Sequence, residues 1–182
     1  MDLLSGRCDP ELGGAPRYLD LVGLNYYYGN QSELGTGHPL GWRLDDPRRV
    51  SLNVLLERVY ARYSRPLVVA ETSHVGVGRG AWIREVATEV ALARENRVPV
   101  EGICVYPIID RPEWENDSLW HRSGLWDMEL DGRGMLQRRL NTSYAAALRE
   151  IQAIVPGICD QKRKRHSSPS TRIRALKRSP AR

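Results

Sequence analysis

Three short apolar runs, residues 21–27, 67–71 and 101–106, constrain this chain more than any other feature. Each is too apolar to face water on either side, which is the pattern of a strand buried on both faces. Between the runs lie stretches with helical spacing. Leu52, Leu55, Leu56, Val59 and Tyr60 follow Ser51, a residue suited to cap a helix, and Trp82, Val86, Val90 and Ala93 share one face of residues 81–96. A long loop over residues 107–133 and a last helix over 143–155 complete the order. Buried strands joined by helical crossovers pair in parallel, so an α/β fold is predicted, as an open sheet or a piece of a barrel.

The 182 residues, 41% of them hydrophobic, suffice for one core. The net charge of +5 is unevenly placed. Residues 160–182 hold nine Lys/Arg and one acid, and the first 159 hold 18 basic and 21 acidic residues. The predicted division is therefore a globular, mildly acidic part over residues 1–159 and a disordered basic tail over 160–182. The run Lys162-Arg163-Lys164-Arg165 has no interleaved aromatic residues, so a solvated extension is preferred to nucleic-acid binding. Residues 1–17, broken by Gly6, Pro10, Gly13, Gly14 and Pro16, read as loop.

Cys8, Cys104 and Cys159 are odd in number and lack paired spacing, which argues against a disulfide framework or a zinc site and for a reducing, cytoplasmic setting. His38, His74, His121 and His166 show no metal-ligand spacing, and no metal or cofactor is expected. The N-terminus lacks the regions of a signal peptide, and no apolar run approaches the roughly 20 residues that span a bilayer. Gly76-Val77-Gly78-Arg79-Gly80 departs from GxGxxG and reads as a flexible turn.

In α/β barrels the chemistry sits at the C-terminal ends of strands. The three strand exits here present Asn25 with Tyr27, Glu71, and Tyr106. Alternation places Gly23, Asn25 and Tyr27 on one face, Leu67, Val69 and Glu71 on one face, and Gly102, Cys104 and Tyr106 on one face. A phenol such as Tyr27 can hold a carboxylate such as Glu71 ionised and aimed, as a carboxylate nucleophile requires. The following loop adds Asp110, Glu113 and Trp114, and an acid beside an indole can grip a sugar through its hydroxyls and its face. Trp82 and Trp126 read as core, and His74, three residues after Glu71, as a candidate pocket residue.

These residues resemble the retaining β-glycosidases of the barrel clan that includes glycoside hydrolase family 1. Val22-Gly23-Leu24-Asn25-Tyr26-Tyr27 looks like that family's sixth strand, and Val68-Val69-Ala70-Glu71-Thr72 like the seventh, which bears the nucleophile. Gly102-Ile103-Cys104-Val105-Tyr106-Pro107-Ile108-Ile109-Asp110-Arg111-Pro112-Glu113-Trp114 is similar to the eighth strand and its sugar-gripping loop. Arg122-Ser123-Gly124-Leu125, with Asp127 beyond, is similar to the downstream Arg-Phe-Gly-Leu segment. Three departures stand out. Tyr106 replaces a usual tryptophan, Arg111-Pro112 a usual Asn-Phe, and Ser73-His74 the Asn-Gly after the nucleophile.

The resemblance implies a partial (β/α)8 barrel, with strands six to eight, that acts on a β-linked sugar or glycoside. Glu71 is then the nucleophile, Tyr27 and Asn25 its supports, and Glu113, Trp114, Tyr106 and His74 the sugar-binding residues. It also implies a missing half. A retaining glycosidase needs a second carboxylate roughly 5 Å from the first. The family carries it in an Asn-Glu pair on the fourth strand, and no such strand precedes Leu21 in this sequence. A C-terminal fragment, inactive alone or completed by a partner chain, is the expectation. The rivals are a non-catalytic carbohydrate-binding or scaffold protein and a nucleic-acid-associated protein acting through its tail.

Overall fold

The protein is described by a computed structural model over residues 1–44 and 46–154. The predicted tail and Cys159 lie outside the described residues. Strand β1 (Val22–Asn25) leads to helix α1 (Leu52–Tyr63), strand β2 (Leu67–Thr72) to helix α2 (Arg79–Glu95), and strand β3 (Val100–Val105) to a hairpin of β4 (Trp126–Leu130) and β5 (Leu136–Leu140) and then to helix α3 (Thr142–Ile154). The first three strands form a parallel sheet in the order β1-β2-β3. The α/β class and parallel pairing are as predicted.

Helix α2 is the centre of the helical layer because it is apolar on two sides. Trp82, Val86, Val90 and Ala93 pack with Leu52 and Leu56 of α1 and with Leu67 and Val69 of β2. Ile83 and Ala87, one position further round, meet Tyr144, Ala147 and Ile151 of α3. Spacing of three and four residues produces both stripes. Helices α2 and α3 approach at Gly80, where an added Cβ would make an ordinary contact of 3.5 Å with the Ala147 Cβ.

Four expectations need correction. The strands are not buried on both faces: Leu67 and Val69 face the helices, whereas Gly23, Asn25 and Cys104 are exposed on the other side of the sheet. Ser51 sits at the N-cap of α1, but its hydroxyl turns to Asn53 Oδ1 and makes no cap bond. Glu89 of α2 takes over, its Oε2 accepting the Asn53 N–H at 3.0 Å, since a carboxylate is the better partner for a positive helix end. Residues 1–17 are not wholly irregular. One-turn 3-10 helices form at Pro10–Leu12 and Pro16–Tyr18, each opened by a proline whose φ is preset for it.

The fourth correction is the hairpin, which falls largely where a loop was expected. Trp126 to Leu130 pairs antiparallel with Leu136 to Leu140. Asp131 closes the turn by accepting the N–H groups of Arg133 and Met135 on Oδ1, and Gly134 supplies the left-handed φ of 76°. Trp126, expected in the core, is half-buried on this ribbon.

Candidate active site

Strand β2 does not deliver Glu71 by simple alternation. Leu24 of β1 pairs with Val69 and Asn25 with Glu71, so β2 carries one extra residue, a bulge at Ala70. The bulge changes which residues share a face. Leu67, Val69 and Thr72 are all fully buried toward the helices, and Trp82 Nε1 donates to Thr72 Oγ1 at 2.8 Å. Glu71 therefore does not share the face of Leu67 and Val69, because the inserted residue reverses the alternation between them. Backbone bonds continue the sheet past its strands, with Tyr26 N–H donating to Glu71 O at 2.9 Å and Tyr106 N–H to Thr72 O at 3.1 Å.

Those bonds bring Tyr27 across to Glu71. The Tyr27 hydroxyl donates to Glu71 Oε2 at 2.9 Å. Burial and then this bond push the phenol well above its ordinary range, which favours the hydroxyl as a donor. Asn25 lies opposite Glu71 in register, so Asn25, Tyr27 and Glu71 stand together at two neighbouring strand exits.

Beside them opens a cavity of about 620 Å3 whose walls include Tyr27, Tyr28, Trp42, Tyr106, Arg111 and His121. Tyr106, expected to bind the sugar, is part of this lining. Glu71 borders it only through Tyr27, since its own side chain is not part of the lining. His74 is also absent from the lining and sits behind the aromatic wall. Its ring lies 4.1 Å from that of Tyr28 and 5.0 Å from that of Trp42, and Nδ1 is 2.8 Å from Val75 O. Burial pushes the imidazole below its usual value, only partly offset by that carbonyl.

The loop after β3 is held by Asp110. Its side chain is buried and spends both oxygens on the backbone, Oδ2 accepting Arg122 N–H and Oδ1 accepting Ser123 N–H, each at 3.0 Å. Gly124 is needed beside it, for a Cβ there would lie 2.4 Å from Asp110 N. Buried Arg79 of α2 fixes the far end of the loop, donating to Gly124 O and, through Nη1, to Asp127 Oδ1 at 2.7 Å. Asp127 is held below the usual carboxylate range: burial pushes it up, and the Arg79 and Asn141 donors outweigh burial.

Glu113 and Trp114 do not reach the cavity. Glu113 Oε1 faces His121 Nε2 at 3.6 Å, and Trp114 is 80% exposed with the Arg111 guanidinium 4.6 Å above its ring. The residues that sequence reasoning missed are Tyr28, Trp42, Arg111 and His121. They come from two loops far apart in the chain, and the departure Arg111-Pro112 was the one signal that pointed to any of them.

With this geometry in view, comparison with solved structures is decisive for the fold. The β-glycosidase from the hyperthermophile Thermosphaera aggregans matches over 81% of this chain and 34% of its own, at a TM-score of 0.55 and 22% identity. The α/β fold resembles a region of this β-glycosidase's barrel. A family 1 β-glucosidase from Thermotoga maritima matches 80% of this chain and 39% of its own, at 0.51 and 16%. Fpglu1 from Fervidobacterium pennivoraus matches 90% and 41%, at 0.52 and 20%. The chain thus spans less than half the length of these barrel proteins. No protein-family model and no curated protein sequence matches it.

Proposed function

We propose that this chain carries the nucleophile half of a retaining β-glycosidase site, on strands equivalent to the sixth to eighth of the barrel. The observation that carries the reading is the 2.9 Å bond from Tyr27 to Glu71, made at neighbouring strand exits beside an aromatic cavity. A phenol that donates to the carboxylate fixes one of its oxygens, leaving the other to attack an anomeric carbon. Glycosyl transfer to Glu71 needs the leaving oxygen to depart, and a second carboxylate, on barrel strands other than these three, donates the proton. Support for the sugar class comes from neighbours with a shared fold: the Thermotoga β-glucosidase is recorded in complex with castanospermine and with azafagomine.

The test separates attack from protonation. A 2,4-dinitrophenyl β-glycoside releases its phenolate without a proton, whereas a methoxyphenyl β-glycoside does not. The wild-type chain is expected to release dinitrophenolate in at most about one equivalent, with the sugar mass on Glu71, and to leave the methoxyphenyl substrate intact. Equal release from Glu71→Gln removes Glu71 from the role. Sustained turnover of the methoxyphenyl substrate by wild type overturns the half-site reading and calls for an acid within the chain.

A second reading, carbohydrate binding without chemistry, is favoured by the absence, among the described residues, of any carboxylate from the cavity lining. Glycoside binding that survives Glu71→Ala, with no dinitrophenolate released, decides for it.

A further inference from the structure

His74 stands at one of the three departures noted above, and nothing in the proposed reaction uses it. Its ring is a wedge behind the cavity rather than part of the lining. Val75 O lies 2.8 Å from Nδ1, and the ring rests against Gly78, where a Cβ would lie 2.3 Å from Nδ1. Fixed from behind in this way, it supports Tyr28 and Trp42, whose rings lie 4.1 and 5.0 Å away and form part of the cavity wall. A carbonyl can only accept, so Nδ1 carries a proton. In the neutral ring Nε2 is then a bare acceptor, without a partner among the described residues.

Acid places a second proton on Nε2, and the groups that face the ring decide its effect. The one-turn 3-10 helix at Trp42–Leu44 contributes Arg43, whose guanidinium lies 5.0 Å from the Trp42 ring centroid. Helix α2 contributes Glu85, which accepts the Trp42 indole N–H, and Arg79, which is paired with Asp127. The segment after β1 contributes the Tyr28 phenol, with Arg49 donating to Tyr28 O at 3.3 Å. An aromatic face ordinarily welcomes a cation. Here Arg43 already lies on the indole and the Glu85 carboxylate is spent on Trp42, so an imidazolium meets a cation with no free counter-charge. Burial and Arg43 both disfavour the charged ring, against the pull of Val75 O.

We propose that His74 is the positioning residue of the aromatic wall and that its neutral ring sets the cavity's grip. Acidification charges the ring, withdraws its support from Tyr28 and Trp42, and releases what the cavity holds. The release rests on the reading of the cavity as a glycoside site, whereas the movement of the wall does not.

Two measurements on the full chain run from about pH 8 to about pH 5, where imidazole titrates and ordinary carboxylates stay largely ionised. The first is indole fluorescence without ligand, which an adjacent imidazolium quenches. Wild type is expected to show a step centred below about pH 6.5, and His74→Gln to lose it. In Arg43→Gln, which removes the facing cation from an exposed position, the midpoint moves to higher pH. This variant decides the matter if His74→Gln does not fold. The second is calorimetric binding of phenyl β-glucoside. Wild type is expected to bind several-fold more tightly at the upper pH, and His74→Gln equally at both. His121→Gln, which removes the imidazole of the lining itself, keeps the wild-type ratio. A fluorescence step unchanged in His74→Gln, a midpoint unmoved in Arg43→Gln, or a binding ratio lost in His121→Gln and kept in His74→Gln overturns the inference. Absence of binding at every pH counts against the glycoside reading, and the fluorescence step then decides the role of His74 by itself.

Discussion

At the scale of single residues, the site depends on groups that never touch its cavity. Trp82 is fully buried, stacks on Tyr26 with ring centroids 5.5 Å apart, and bonds Thr72 next to Glu71. Helical spacing marks Trp82 as core from sequence alone, but its hold on Thr72 depends on the bulge, which no local pattern announces. His74 props Tyr28 and Trp42 from behind, and a Cβ at Gly78 would lie 2.3 Å from its ring. Its pKa is depressed in the fold by burial, with Arg43 a lesser cause in the same direction. A base with a lowered folded pKa binds fewer protons than its unfolded form, so its contribution is present above about pH 6.5 and lost as pH falls below it. Thermal unfolding of wild type is expected at lower temperature near about pH 5 than near about pH 8, and the difference should shrink in His74→Gln. An identical pH dependence in the two proteins refutes this role for His74.

At the scale of elements, the hairpin and the loop before it are tied to the helical layer by one ion pair. Arg79 is 6% exposed at its side chain and Asp127 26%, and Arg79 also holds the carbonyls of Gly76 and Gly124. Removing one partner strands the other in a poorly solvated place. Arg79→Ala is expected to lower stability by on the order of 3 kcal/mol. The double variant with Asp127→Ala should cost clearly less than the two singles added, by urea denaturation. Strict additivity would mean that the pair does not couple. The hairpin was readable in principle, since Trp126-Asp127-Met128-Glu129-Leu130 alternates and Asp131-Gly132-Arg133-Gly134 is a turn sequence. Its second strand, Leu136 to Leu140, is wholly exposed and so lacks the apolar signal by which the buried strands announce themselves.

At the scale of the whole molecule, one face of the sheet is covered and the other is open, and β1 and β3 both end the sheet as edges. Unpaired edges and exposed strand faces favour association with other strands. Sedimentation over an approximately hundredfold concentration range is expected to show reversible self-association, which rises as the chain is concentrated. A single monomeric species throughout, with a cooperative melt, would refute it. The described residues contain no helix long and apolar enough to cross a membrane. The sequence by itself determined the order of the three apolar strands and their helices, the parallel pairing and the presence of Asn25, Tyr27 and Glu71 at the strand exits. Apolar spacing and strand direction are local properties, and they suffice for these. Only the tertiary structure decided that a bulge turns Glu71 away from the face of Val69, that Glu113 and Trp114 stand apart from the cavity, and that Arg111 and His121 help to line it. Those outcomes depend on contacts between segments tens of residues apart, where packing overrides what any single stretch prefers.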